Sequence, residues 1–225
     1  FETGDLSPPA SRNQKEVGGD LYDFYMDGNH LYFLIGDVSG KGVPASLFMA
    51  ITRSLFRTLS QHVLSPAKIV TEMNNSISDN NESNMFVTLI VGILDLETGI
   101  LKLCNAGHNP PILIYPDGQV SYLEFKTQIF VGVVEDFKYS DEEVVLEKES
   151  KLFLYTDGVT EAENINKELY GEEKLLEMLS DNASSDVRTT VSVVVDSIAS
   201  HVKEAEASDD LTILLIQYEP GTANS

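Results

Sequence analysis

Residues 31–59 read LYFLIGDVSGKGVPASLFMAITRSLFRTL, and a change of hydrophobic period inside this stretch decides the fold. The first part is a short apolar run that ends at Asp37, which is typical of a buried β-strand. A glycine-rich link follows, and an apolar residue then recurs every four positions. This stripe consists of Leu47, Ile51, Leu55 and Leu59. The spacing predicts an amphipathic helix over 43–59 that packs its stripe on the core.

The flanking sequence predicts further strands and helices. The predicted strands span 17–25, 31–38, 86–94, 100–105, 112–115, 119–123, 142–146, 152–156 and 211–217, with 142–146 paired to 152–156. The other predicted helices are one that Ser65 caps and Pro66 begins, with Ile69, Met73 and Ile77 as its stripe, and two over 172–179 and 187–202. Strands and helices do not alternate regularly, so we predict an α+β fold of antiparallel sheets covered by helices.

The composition is strongly acidic. The 36 Asp and Glu residues outnumber the 15 Lys and Arg residues, and the formal net charge is −21. This balance argues against a nucleic-acid-binding protein, because binding phosphates requires clustered basic residues. Segment 134–182 holds 15 of the acidic and 5 of the basic residues. It is interpreted either as a solvated face or as a docking surface for a basic partner.

One domain is predicted over residues 11–218, since no repeat or linker divides the chain. We expect a mobile leader over 1–10 and a disordered tail over 219–225. No apolar run reaches the length of a membrane helix, so no membrane contact is expected from this segment. The chain starts with Phe and has a single cysteine, Cys104. Because the chain does not begin with Met, we expect it to be a piece of a longer protein. Because a single cysteine cannot form an intramolecular disulfide, we expect that protein to be cytoplasmic.

Aspartates stand at the ends of predicted strands. Asp37 and Asp157 each end a strand, Asp209 and Asp210 precede the last strand, and Asp20 lies in the first. If the last strand is antiparallel to those that end at Asp37 and Asp157, these carboxylates meet at one edge. Clustered carboxylates repel one another unless cations hold them, and oxygen ligands without His or Cys favour Mg²⁺ or Mn²⁺. The implied reaction is phosphate ester hydrolysis, although a single Asp-Gly pair is usually only a turn.

Five motifs occur in an order that resembles the SpoIIE/RsbU-type bacterial serine phosphatases, a branch of the metal-dependent PP2C (PPM) phosphatases. The motifs are GGDLYD (18–23), GDVSGKGVPA (36–45), NAGHNPP (105–111), YTDGVTEA (155–162) and DDLT (209–212). The resemblance implies a four-layer α/β/β/α sandwich of two antiparallel sheets flanked by helices. It also implies hydrolysis of phosphoserine or phosphothreonine by a metal-activated water.

The resemblance further implies roles for single residues, with two Mg²⁺ or Mn²⁺ ions as cofactors. Asp37 would bridge the two ions and, with Asp20, act as a catalytic residue. The implied metal ligands are Asp37, Asp20 with the carbonyl of Val38, and Asp157 with Asp209, and the implied auxiliary residues are Asp210, Gly158, Lys41 and His108. His108 suits either a general acid or a residue that ties down the backbone.

Two departures from the wider PP2C group leave roles open. Ser39 stands where that group has a histidine, two residues after the bridging aspartate. The phosphate-binding arginine of eukaryotic members has no clear counterpart, and Arg12 is only a weak candidate. Protonation of the leaving group is therefore unassigned, and the metals would be the main phosphate ligands.

The implied partners follow from the same resemblance. The substrate would be a phosphorylated STAS-domain anti-sigma-factor antagonist in a partner-switching pathway, and an upstream sensory or receiver domain would control activity. The resemblance leaves open whether the protein forms a homodimer. The alternatives are a catalytically silent PP2C-like interaction module in the same pathway and a hydrolase of small phosphate esters. Retention of the clustered aspartates argues against the silent module.

Overall fold

The computed structural model describes residues 2–5, 19–79, 81, 84–203, 205 and 210–220. Its strands are β1 (Glu2–Asp5), β2 (Asp20–Asp27), β3 (His30–Val38), β4 (Val87–Asp95), β5 (Ile100–Ala106), β6 (Ile112–Ile114), β7 (Val120–Tyr122), β8 (Glu142–Val145), β9 (Lys151–Tyr155) and β10 (Ile213–Gln217). The helices are α1 (Val43–Leu59), α2 (Pro66–Ser78), α3 (Glu172–Asp181) and α4 (Val187–Val202), with a short 3-10 turn over Asp157–Val159. None of the helices in these ranges combines the length and apolarity that a membrane span requires.

The chain divides into two compact units. The first comprises Phe1–Gln14, Asn109–Leu123 and Glu147–Glu219. Its antiparallel sheet has the order β1-β10-β9-β6-β7, and α3 and α4 bury their apolar faces in its core. Strand β1 pairs with β10 inside the segment that we expected to be a mobile leader. Backbone pairing with an edge strand needs no apolar pattern, which explains why the sequence did not predict it.

The second unit comprises Lys15–His108, Glu124–Leu146 and Pro220–Ser225. Its antiparallel sheet has the order β2-β3-β4-β5-β8, and the core includes residues of α1 and α2. The predicted tail begins at Glu219, and its residues 221–225 lie outside the described part of the chain, as do residues 6–10 of the predicted leader and residues 11–18 after it.

Local signals in the sequence define α2 and α4 as predicted. The Ser65 hydroxyl accepts a hydrogen bond from the backbone amide of Lys68, and Pro66 is the first helical residue. The Asp186 carboxylate caps α4 by accepting from the amide of Thr189. Such caps satisfy amide groups that have no partner within the helix. The predicted stripe of α2 is buried at Ile69, Met73 and Ile77, and α4 buries Val187, Val191, Val194 and Ile198 in the same way.

The predicted stripe of α1 is wrong in its first half. Leu47 and Ile51 are 61% and 53% exposed, and the buried residues of the helix are Ala45, Thr52 and Phe56. A step of four residues rotates by about 40° beyond a full turn. A stripe built from such steps therefore starts on the outer face and reaches the core only near the end of the helix.

Two substitutions test this corrected face. Leu47→Ser is expected to change the free energy of unfolding by less than about 0.5 kcal/mol, because the side chain is already in solvent. Phe56→Ala is expected to lower it by about 3–5 kcal/mol, since this ring is fully buried. Urea unfolding followed by circular dichroism measures both. A large loss with Leu47→Ser would show that the residue packs in the core.

The predicted pairing of segments 142–146 and 152–156 is also wrong. Strand β8 pairs with β5 in the second unit, whereas β9 pairs with β10 and β6 in the first. The amide of Leu146 donates to the carbonyl of Gly99, and the amide of Glu149 donates to the carbonyl of Tyr218. The backbone thus leaves one sheet and enters the other between these residues, a change that no local pattern encodes.

Candidate active site

Asp20 and Asp37 stand directly opposite each other at one edge of the second unit's sheet. Asp20 begins β2, and its register partner in β3 is Asp37. Residues directly opposite in antiparallel strands share a face and have Cβ atoms about 4.5–5.5 Å apart. Both side chains are half-buried. The structure therefore brings together the two aspartates to which the resemblance assigns catalysis.

Gly19 allows the backbone to lie against this pair. A Cβ atom on Gly19 would lie 2.6 Å from the Val38 carbonyl oxygen and 3.0 Å from Oδ1 of Asp37. The amide of Val38 donates to the Gly19 carbonyl at 3.2 Å. A side chain at position 19 would push the Val38 carbonyl away from its present position. Only a glycine fits this close approach, and Gly18 before it lies outside the described residues.

Ser39 anchors the link between β3 and α1. Its amide donates to the Phe86 carbonyl, and its hydroxyl accepts from the Phe86 amide, both at 2.9 Å. Gly40 and Gly42 have φ angles of +87° and +81°, which favour glycine. Lys41 between them is exposed. The serine that replaces a histidine of the wider group thus holds the link to the residue before β4.

His108 supports the edge that carries Asp37. It is 5% exposed, and its Nδ1 lies 2.9 Å from Oγ1 of Thr88, which is the register partner of Asp37 in β4. Its amide donates to Oδ1 of Asn105, and its carbonyl accepts from Nδ2 of the same residue. This geometry favours the predicted role in tying down the backbone. Thr88 was missed, because only the register places it beside Asp37.

The first unit carries Asp157 in a turn directly after β9. The Asp157 carbonyl accepts from the amides of Thr160 and Glu161, which closes the turn. The preceding Thr156 pairs with Thr212 through backbone and hydroxyl hydrogen bonds, both 3.1 Å long. This pairing fixes the turn beside the segment that leads into β10. The condition for convergence is met for Asp157, because β10 is antiparallel to the strand before it, but not within one sheet for Asp37, because β3 belongs to the other sheet.

Gly158 packs its backbone against Asp210. A Cβ atom on Gly158 would lie 1.8 Å from the Asp210 carbonyl oxygen, which is far inside van der Waals contact. Asp157 and Asp210 therefore flank the same edge of this sheet. Asp209, the other predicted ligand in this segment, lies outside the described residues.

Gly158→Ala is expected to lower the free energy of unfolding by about 3 kcal/mol, because neither backbone segment can move without breaking the pairs of Thr156. Gly28→Ala is the control, since Gly28 has a positive φ but nothing within 4 Å of an added Cβ. The control should cost only about 1 kcal/mol. Chemical denaturation compares the two, and equal losses would contradict the close packing.

A buried ion cluster joins β2 to α1 on the other face of the sheet. Asp23 is 4% exposed and accepts from Nε of Arg53 at 3.1 Å, from Nε of Arg57 at 2.5 Å and from Nη2 of Arg57. The Arg57 guanidinium also lies 4.7 Å from the centre of the Tyr25 ring. Burial alone raises the pKa of Asp23, but the arginine hydrogen bonds outweigh it and hold this pKa below its usual value. Because side chains alternate along β2, the sequence could have predicted that Asp23 lies on the opposite face of the sheet from Asp20.

The second unit supplies oxygen donors that fit a hard divalent cation. These are the carboxylates of Asp20 and Asp37 and the carbonyl of Val38, held close by Gly19. Within the part of the chain that the structure describes, no three His, Cys, Asp or Glu side chains form a group that could hold a metal. The donor chemistry is that of Mg²⁺ or Mn²⁺ rather than Zn²⁺.

Comparisons with known proteins define the class. Residues 27–219 match the family model described as "Stage II sporulation protein E (SpoIIE)". The chain belongs to this family. It is 26% identical to "Phosphoserine phosphatase RsbU" of Bacillus subtilis, over 96% of this chain and 63% of that protein. It spans 36% to 63% of the length of the curated relatives it matches.

Solved structures confirm the predicted PP2C-like α+β fold of two antiparallel sheets with flanking helices. The SiaA-PP2C domain of Pseudomonas aeruginosa has a TM-score of 0.81 and 22% identity, over 90% of this chain and 82% of that one. A crystal structure of RsbX in complex with magnesium has a TM-score of 0.68 and 19% identity, over 96% of this chain and 92% of that one. At these identities the likeness concerns the fold.

Proposed function

We propose that this chain is a Mg²⁺- or Mn²⁺-dependent phosphoprotein phosphatase that hydrolyses phosphoserine or phosphothreonine. The observation that carries the proposal is the pair Asp20 and Asp37, which face each other beside the Val38 carbonyl at one sheet edge. Membership of the SpoIIE family and the similarity to a relative named phosphoserine phosphatase support it.

The proposed ligands of two such ions are Asp37, Asp20 and the Val38 carbonyl, together with Asp157 and Asp209. When bound, a divalent cation lowers the pKa of a coordinated water and polarises phosphoryl oxygens. The chain's own contribution is to hold the ligands in place. Gly19 keeps the Val38 carbonyl near Asp37, and Ser39 fixes the link that follows it. Lys41, His108, Gly158 and Asp210 are proposed as auxiliary residues.

The proposed substrate is a phosphorylated STAS-domain anti-sigma-factor antagonist, and the proposed regulator is an upstream sensory or receiver domain. The similarity to RsbU supports both. The setting would be the cytoplasm. A phosphorylated STAS protein should then be hydrolysed with a much higher kcat/KM than free phosphoserine, which separates a protein phosphatase from a hydrolase of small esters.

Hydrolysis of p-nitrophenyl phosphate by the purified chain tests the activity itself. Turnover should depend on added Mn²⁺ or Mg²⁺ and stop with excess EDTA. Calorimetric titration with Mn²⁺ in the absence of substrate measures metal binding independently. Metal binding without any turnover would favour the catalytically silent interaction module, and the absence of both would contradict the proposed site.

A further inference from the structure

A loop of the second unit displays apolar side chains to solvent. Phe130, Val133 and Val134 are 39%, 50% and 41% exposed. We refer to residues 130–134 as the apolar loop. Single exposed apolar residues are ordinary on protein surfaces, whereas three within five positions of one loop make it a candidate interaction site.

The backbone of the apolar loop is firmly held. Asn74 is fully buried, donates to the Val134 carbonyl and accepts from the Gly132 amide, both at 2.9 Å. Val131 forms a two-way backbone pair with Val87 at 3.1 Å. A loop that is fixed from below while its apolar side chains face outward is preorganised for binding, because little conformational entropy is lost when a ligand docks.

The apolar loop adjoins the edge that carries Asp37. The Phe130 ring stacks on Phe86 with centroids 5.1 Å apart and an interplanar angle of 22°. It also covers Gly107, where a Cβ atom would lie 2.0 Å from the ring. Phe86 is hydrogen-bonded in both directions to Ser39, two residues after Asp37. These contacts place the Phe130 ring within reach of a polypeptide whose phosphoserine lies at Asp37.

The charge around the apolar loop indicates the kind of ligand. Residues 129–134 carry no charge, the exposed Glu135 and Asp136 follow directly, and the exposed Lys138 lies two residues further along. An apolar surface with an acidic border complements an apolar side chain followed by a basic one. We propose that the apolar loop docks phosphopolypeptides in which the phosphoserine is flanked by such a pair. This inference rests on the proposed phosphatase function and names its substrate class.

Kinetics with three synthetic phosphoserine peptides test the proposal. One peptide carries Leu-Lys after the phosphoserine, one carries Ser-Lys and one carries Leu-Glu. The unmodified chain should have about tenfold higher kcat/KM for the Leu-Lys peptide than for either of the others. Phe130→Ser and Val133→Ser should each reduce the preference for leucine to less than about threefold.

Controls separate docking from other effects. Val145→Ser removes an equally exposed apolar side chain, 62% exposed on β8, and should keep the full preference. Val133→Ser leaves the Phe86 stack intact, so it reports on docking if Phe130→Ser unfolds the chain. A peptide preference that is absent in the unmodified chain, or that survives both loop substitutions, overturns the inference. Absence of p-nitrophenyl phosphate turnover overturns the proposed function instead.

Discussion

Asp37→Asn is expected to reduce metal-dependent hydrolysis of p-nitrophenyl phosphate by at least about a thousandfold. A divalent cation supplies several kcal/mol of stabilisation to the transition state, and about 1.4 kcal/mol corresponds to each tenfold in rate. Asparagine keeps the size of the side chain but removes the charge opposite Asp20. Steady-state kinetics with saturating Mn²⁺ measure the loss in kcat.

Asp117→Asn is the control, because Asp117 lies exposed in a turn, where it accepts from the amide of Gln119. This variant should retain the activity of the unmodified chain. Titration calorimetry should show weaker Mn²⁺ binding only for Asp37→Asn. Full turnover by Asp37→Asn would remove this residue from the proposed site, whatever the effect of the control.

The elements that follow from local chemistry were predicted to within a few residues. Helix α4 has the predicted bounds because Asp186 directly before it supplies the cap and its apolar stripe lies within it. The first predicted strand, 17–25, corresponds to β2, which spans Asp20–Asp27. Residues 17–18 lie outside the described range, and the turn that begins at Gly28 ends the strand. The buried face of α1 could not be predicted in the same way, because apolar residues spaced four positions apart shift progressively around the helix.

The candidate site was predictable only where the ligands share a hairpin. Asp20 and Asp37 lie on strands joined by a tight turn, so local pairing places them opposite each other. The position of Thr88 beside Asp37 follows only from the register of β4. The two arginines that bind Asp23 lie about one turn apart in α1, which is a different element from the strand of Asp23. Non-local pairing depends on the whole chain, which no single motif records.

Asp23→Asn is expected to lower the free energy of unfolding by about 2 kcal/mol at pH 7. The substitution removes a buried charge that accepts hydrogen bonds from two arginines, and hydrogen bonds to charged groups contribute about 1.5–3 kcal/mol. The expected loss of unfolding free energy is near the lower end of this range, because both arginines remain partly in solvent. Glu143→Gln is the control. Its pair with Lys102 is exposed and 3.9 Å long, and the loss should stay below about 0.5 kcal/mol.

The effect of Asp23→Asn should depend on pH in one direction. Since the arginines hold the pKa of Asp23 in the folded chain below its unfolded value of about 3.9, the ionised carboxylate stabilises the fold above that pH. This stabilisation is lost as the pH falls through the folded pKa. The difference between the unmodified chain and Asp23→Asn should therefore be constant from pH 7 to about 5 and shrink below about 4. Urea unfolding at successive pH values measures it, and a difference that grows on acidification would contradict the ion cluster.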